Sequence, residues 1–321
     1  MHHIFGGFLQ HGAQFINGKD NEIYAIANEL GVVLEMIARN RSLNDVQQRD
    51  YRNFIQRNGI TGDRLHLFNA LFRAFQSETE IDFAADLSDL SLLNLVEWDD
   101  GSDGVEYDTN NKGFTAIIEH LASKIGPSQL FLNSPIKNIA YDGPGGVRVT
   151  LSNGTTVPDP FDVVIVTVSV GHLKKFHSTL FTPMLNENKR ETIEKMGFGG
   201  MTKIFLRWRT PFWNKDDLYL VPLQVKGCND PKDPLDKTIA ALQISSTITS
   251  FIRRVTKNNT IGPPEQIIRS RLTKNEYFLG SYSYISVAQA KANIYPEDLA
   301  VPLKGRGMNR VLFAGEATHD K

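Results

Sequence analysis

Apolar positions along the chain follow two different periods. Between Asn21 and Ile37 they recur at Ile23, Ile26, Ala27, Leu30, Val33 and Leu34, three and four residues apart, which predicts a helix. Leu65 to Phe75 repeats that spacing, Thr115 to Ile125 carries it after Gly113-Phe114, and Met184 to Met196 is also read as helical. Residues 129–170 change character. The run "QLFLNSPIKNIAYDGPGGVRVTLSNGTTV" alternates, and predicts short strands with turns at Asp142-Gly143-Pro144-Gly145-Gly146 and at Asn153-Gly154. "MTKIFLRW" sets Ile204 and Leu206 against Lys203, Phe205 and Arg207, the mark of a strand. "FDVVIVTVS" does not alternate. An unbroken β-branched run suits a strand buried on both faces of a parallel sheet, and Val311-Leu312-Phe313 is predicted as its parallel neighbour. Phe8 to His11 reads as a strand entering a turn at Gly12-Ala13, whereas Asp82 to Asp103, 226–237 and Pro263-Pro264 read as loop. The mixture predicts an α/β or α+β fold with interleaved domains.

Composition narrows the picture. A chain of 321 residues, 41% hydrophobic and 22% charged, can fill two domains or one large α/β unit. A net charge of -1, from 35 basic and 36 acidic side chains, gives no bulk electrostatic case for nucleic acid. The single cysteine, Cys228, excludes a disulfide framework and Cys-rich metal sites, and no metal is expected. No apolar run reaches the roughly 18 residues a membrane span needs.

Four places could carry chemistry, and each has a plain structural reading beside the functional one. Glu316 follows a core strand. It could simply sit favourably at a helix start, or it could accept hydroxyl hydrogen bonds from a ribose or ribityl chain at a strand's carboxyl end. Lys203 is either a solvated strand lysine or a functional one beside Gly197-Phe198-Gly199-Gly200, where a ligand could approach the backbone closely. "GAQFING", Gly12 to Gly18, is by itself an ordinary loop. In "GSYSYIS", Tyr282 and Tyr284 share one face, as packing residues or as aromatics flanking a cation or a flavin.

In this order, "GAQFING", "KGF" at Lys112-Gly113-Phe114, "DVVIVTVSVGHLKK", "LFTPMLNENKRETIEKMGFGGMTKIFLRWRTPFW", "GSYSYI" and "VLFAGEATH" resemble the flavin-containing amine oxidases, most closely the polyamine and spermine oxidases. The resemblance implies a discontinuous FAD-binding domain of doubly wound type over residues 1–20, 105–175 and 300–321. A substrate domain with a mixed sheet and helices is implied over 21–104 and 176–299. It further implies that Lys203 holds a water against the flavin, and that Gly12, Ala13, Gln14, Phe15, Ile136, Gly315 and Glu316 contact FAD. Asn17, Tyr282 and Tyr284 are implied on the substrate side. The implied reaction is hydride transfer from a neutral amine, such as a polyamine, to the flavin, followed by reoxidation by O₂ to H₂O₂. The expected compartment is the cytoplasm, with the peroxisome as the family's other address.

The family's opening strand, G-x-G-x-x-G turn and helix are absent from the sequence. Gly143 to Gly146 precede an alternating strand, and Gly197 to Met201 also precede a strand. The chain also ends before the helix that follows the Gly-Glu turn in relatives. A sequence truncated at both ends is therefore expected, and residues 1–321 alone are expected to hold FAD weakly and to dissolve poorly. Two other readings stay open: a lysine-demethylase-type amine oxidase, and an inactive protein without flavin.

Overall fold

The structure, a computed structural model, describes residues 2–4, 7–9, 43–93, 113–214, 244–270 and 272–318. The expected helix at 21–37, the residues Gly12 to Phe15, Asn17, Lys112 and Cys228, and the loop 226–237 lie outside the described residues. In chain order the strands are β1 (His2–Ile4), β2 (Gly7–Leu9), β3 (Ile136–Ala140), β4 (Arg148–Leu151), β5 (Val164–Val166), β6 (Phe181–Thr182), β7 (Gly197–Gly199), β8 (Ile204–Arg207), β9 (Gln266–Arg269), β10 (Tyr282–Tyr284), β11 (Leu303–Gly305) and β12 (Met308–Phe313). The α-helices are α1 (Leu43–Asn58), α2 (Gly62–Phe83), α3 (Gly113–Ser123), α4 (Val170–Leu180), α5 (Glu187–Lys195), α6 (Ile244–Thr256), α7 (Val287–Lys291) and α8 (Pro296–Ala300). The described residues divide into two compact units, one within Met1–Glu35, Leu93–Lys195 and Asn293–Lys321, the other within Met36–Leu92 and Met196–Ala292.

The first unit holds two three-stranded sheets, ordered β11-β12-β5 and β4-β3-β6, and the β1-β2 hairpin. The expected pairing of the two apolar runs is present: β12 lies parallel to β5, with Val311 opposite Val164 and Phe313 opposite Val166. The expected burial of that strand on both faces is not. Val166 is buried, but Ile165 is 60% exposed, and Val163 and Val168 are exposed as well. The β-branched run signals a strand; its burial depends on a covering element, and none from the described residues covers Ile165. The two sheets touch through Phe181 and Phe313, whose ring centroids lie 5.9 Å apart. Helix α4 starts right after β5 because Ser169 caps it, its side chain accepting from the His172 N–H at 3.1 Å. Asn186 does the same for α5, accepting from the Lys189 N–H at 2.9 Å.

The second unit pairs β8 with β9 and β10 with β7, both antiparallel. Gly197 to Gly199, expected as a glycine stretch ahead of a strand, are themselves a strand. Helices α1 and α2 stack aromatics, Tyr51 against Phe72 at 4.5 Å and Phe54 against Phe68 at 5.2 Å. Helix α2 is twice the length its apolar spacing marks, and α1 has too few apolar positions to show in the pattern. At the end of α2, Ala84 turns left-handed at φ 47, and Ala84 and Ala85 donate back to the Ile81 and Glu80 carbonyls, each at 3.2 Å. That turn delivers the chain into the acidic stretch Asp86 to Asp89.

Candidate functional site

In the first unit the geometry converges on the end of β12. β5 and β12 run parallel, so their carboxyl ends lie side by side, and the Ala314 N–H donates to the Val166 carbonyl at 3.1 Å. Gly315 then takes φ +139, a conformation that favours glycine, and the space where a Cβ would stand is open. Glu316 follows at the surface, opening a short 3-10 turn. A carboxylate at the carboxyl end of a parallel pair, preceded by an open glycine, suits hydroxyl donors of a ribityl or ribose chain. These residues fit that part of an FAD. Ile136 opens β3 in the other sheet of the same unit and is 44% exposed.

The β12 strand end rests on a buried cation. Lys189 of α5 is 4% exposed, and its ammonium donates to the Asp298 and Leu299 carbonyls at 2.8 and 2.7 Å, at the end of α8. It also lies 4.7 Å from the centre of the Phe313 ring. Burial lowers the Lys189 pKa to about 8, with the Asp298 carboxylate pulling the other way. Nothing in the sequence pattern singled out this lysine, because one polar residue on a mostly polar helix looks solvated.

In the second unit Tyr282 and Tyr284 stand on β10 opposite Gly199 and Gly197, and Lys203 follows four residues after Gly199. The segment before Lys203 is bound to the segment before Tyr282: the Met201 N–H donates to Ser281 Oγ at 2.9 Å, and the Ser281 N–H donates to the Gly199 carbonyl at 2.7 Å. The Lys203 backbone is fixed by Ser270, its N–H donating to Ser270 Oγ and its carbonyl accepting from the Ser270 N–H, both at 2.9 Å. The Lys203 side chain is exposed.

The glycines beside Lys203 serve protein packing. A Cβ on Gly197 would stand 2.5 Å from the Tyr284 ring, one on Gly199 2.1 Å from the Ala84 carbonyl, and one on Gly200 2.5 Å from Thr273. The groups that approach this stretch closely are protein groups, not the ligand its composition suggested. Both tyrosine hydroxyls are also engaged. Tyr282 donates to the Ile81 carbonyl at 2.6 Å, and Tyr284 donates to Asp89 Oδ2. Burial raises the pKa of both phenols, and the Asp89 carboxylate raises that of Tyr284 further.

Beside these residues lies a cleft of about 480 Å³, walled by Arg73, Glu80, Ala84 and Asp86 on one side and by Gly200, Met201 and Thr202 on the other. Arg73 and Glu80 neutralise each other through a two-pronged contact at 3.1 and 3.3 Å. Asp86 is left as the cleft's surplus charge. Hydrogen bonds from the Ser88 hydroxyl and N–H, at 2.5 and 2.8 Å, hold its carboxyl below the usual range, with Arg73 helping and burial opposing. Burial and Glu78 push Asp82 the other way. The sequence offered a signal for the Arg73–Glu80 pair, since residues seven apart share a helix face, but a lone charge pair does not announce a cleft.

Residues 35–251 match the family model for flavin containing amine oxidoreductases. Among curated relatives, the peroxisomal N(1)-acetyl-spermine/spermidine oxidase of Homo sapiens is 27% identical over 259 residues, 66% of this chain and 50% of the relative. The probable polyamine oxidase 5 of Arabidopsis thaliana is 25% identical over 272 residues, 65% of this chain and 50% of the relative. The histone demethylase-like protein A of Aspergillus fumigatus is 27% identical over 277 residues, 73% of this chain and 25% of the relative. The chain thus spans about half the length of the two oxidases it matches. Among the described residues no helix is long and apolar enough to cross a membrane. The family match covers well over half of the chain, and the protein belongs to the flavin containing amine oxidoreductases.

Proposed function

We propose that this protein is an FAD-dependent amine oxidase that acts on polyamines. The observation that carries the reading is the cleft in the second unit: its wall holds Asp86 ionised, and Lys203 follows directly on its lining residues Met201 and Thr202. A fixed surplus carboxylate favours a cationic ligand, and a polyamine carries a cation at every nitrogen beyond the one that reacts. The family's flavin, when bound, supplies the hydride acceptor. In this reading the first unit holds FAD, with Gly315 and Glu316 at its ribityl side, the Ile136 backbone at its adenine and Gly12 to Phe15 near its ring. The second unit binds the amine. Lys203 keeps the water-holding role that the resemblance implies, Tyr282 and Tyr284 present their rings on the substrate side, and Asn17 is assigned to the substrate as well. The two named polyamine-type oxidases among the relatives support a small amine over a peptide.

The test is to purify the protein with excess FAD, record the flavin spectrum, and measure H₂O₂ released from spermine, an acetylated polyamine and a methyl-lysine peptide. A flavin spectrum with H₂O₂ from either polyamine is expected. H₂O₂ from the peptide alone would replace this reading with the demethylase one, which the demethylase-like relative favours. Absence of both flavin and H₂O₂ would leave the inactive-protein reading standing.

A further inference from the structure

The acidic turn after α2 is held in place from the strand opposite. Asp86 to Asp89 form a tight turn in which the Asp89 and Leu90 N–H groups donate to the Asp86 carbonyl at 2.9 and 3.0 Å, while the Asp86 carboxylate caps Ser88. The β10–α7 segment closes on this turn at three points. Tyr284 donates its hydroxyl to the Asp89 carboxylate, the Val287 N–H donates to the Asp89 carbonyl at 2.8 Å, and the Ser91 N–H donates to the Ile285 carbonyl at 3.0 Å. The ring of Tyr284 reaches Asp89 only because Gly197 opposite it has no Cβ. Of the three points, the Tyr284 hydroxyl is the one made by a side chain, and the one a single atom can remove.

We propose that Tyr284 is a positioning residue for amine recognition: through Asp89 it fixes the Asp86–Asp89 turn, and so sets the Asp86 carboxylate on the cleft wall where it reads a protonated nitrogen of the substrate. This rests on the amine-oxidase reading above and adds to it the pair that discriminates by charge. The reacting nitrogen must be neutral to lose hydride from its α-carbon, so a fixed anion is of use only to a second, charged nitrogen. Asp86 remains ionised because Ser88 bonds to it, and the Arg73–Glu80 pair beside it adds no net charge. This positioning role of Tyr284 runs through its oxygen and is separate from the substrate-side place of its ring proposed above.

Tyr284→Phe keeps the ring and deletes only that oxygen. In the FAD-loaded protein, steady-state H₂O₂ production is measured with spermine and with hexylamine, which has no second cation, and spermine binding is measured by calorimetry. Expected for Tyr284→Phe is a rise of about fivefold in KM and Kd for spermine, larger than any fall in kcat, with the hexylamine KM changed less than about twofold, the scale of one exposed charge contact. Asp86→Asn should give the same selectivity loss, and the double variant should add little to it. An unchanged spermine KM, an equal rise for both amines, or full additivity in the double variant would overturn the proposal. Should Tyr284→Phe fail to fold, Asp89→Asn removes the charge from the same contact and must reproduce the selective loss. If wild type binds spermine and Tyr284→Phe weakens that binding, but no amine yields H₂O₂, the positioning role stands and the oxidase reading falls. Absence of spermine binding by wild type overturns the positioning role itself.

Discussion

Two lysines show how different a cation's task is when burial differs. Lys189 sits inside, where its ammonium replaces the missing donors at the end of α8. Its pKa is about 8 when folded, against an ordinary 10.5, so above pH 8 the unfolded chain binds the proton that the folded chain has released. Stability from this group therefore rises with pH between about 8 and 10.5, by about 3 kcal/mol in total. Urea unfolding of wild type and Lys189→Met across that range should show the rise in wild type and its loss in the variant. Lys203 is exposed, and its expected part is chemical. Lys203→Met in the FAD-loaded protein should slow flavin reduction or reoxidation about tenfold or more while spermine affinity changes far less, the range seen when a positioned proton-handling group is removed. Stopped-flow traces of the two half-reactions decide this, and unchanged rates in both would remove Lys203 from the site. The sequence does not separate the two lysines by burial. Lys203 lies among glycines and apolar residues, yet its side chain is exposed. Lys189 lies on the polar run "NENKRETIEK" and is the buried one.

At the scale of elements, the close contact of β7 with its neighbours makes a sharp claim. Gly199→Ala would drive a Cβ into the Ala84 carbonyl, and backbone cannot rotate away as a side chain can. A loss of about 1–3 kcal/mol is expected, the usual cost of overpacking. Gly262→Ala, where nothing lies within 4 Å and φ is ordinary, should change stability by less than about 0.5 kcal/mol. Urea midpoints of the two variants check both. The strands and most helices were legible, because their periods are local properties of the sequence. The purpose of "GFGG" was not, because the atoms that fill its vacant Cβ positions come from Ala84, Thr273 and Tyr284, which are distant in sequence and set against it only by the fold. The parallel pairing of "VVIV" with "VLF" was legible because both are unbroken apolar runs, whereas the exposure of Ile165 depends on what lies over the sheet.

At the scale of the whole molecule, the first unit exposes several large apolar side chains. Phe131 and Leu132 are 76% and 72% exposed, and Ile118, Leu121 and Ile165 add to them. The protein is therefore expected to self-associate. Size-exclusion chromatography measures this; a monomeric protein would refute the expectation. Phe131→Ser with Leu132→Ser should raise the soluble fraction. The parallel pair β12–β5 carries one more consequence, for the order in which the chain acquires structure. Arg310, entering that pair, bonds the Asp162 carbonyl at 2.8 Å across 148 residues of sequence. The residues of the second unit from Met196 to Ala292 are all made in that interval. On the ribosome, β5 must wait without its partner while nearly half the chain emerges, so the second unit has the chance to fold first and the first unit's sheet closes last. A released chain ending just short of Met308 should already protect Tyr282–Tyr284 and β7 from protease, while Val164–Val166 is still cut.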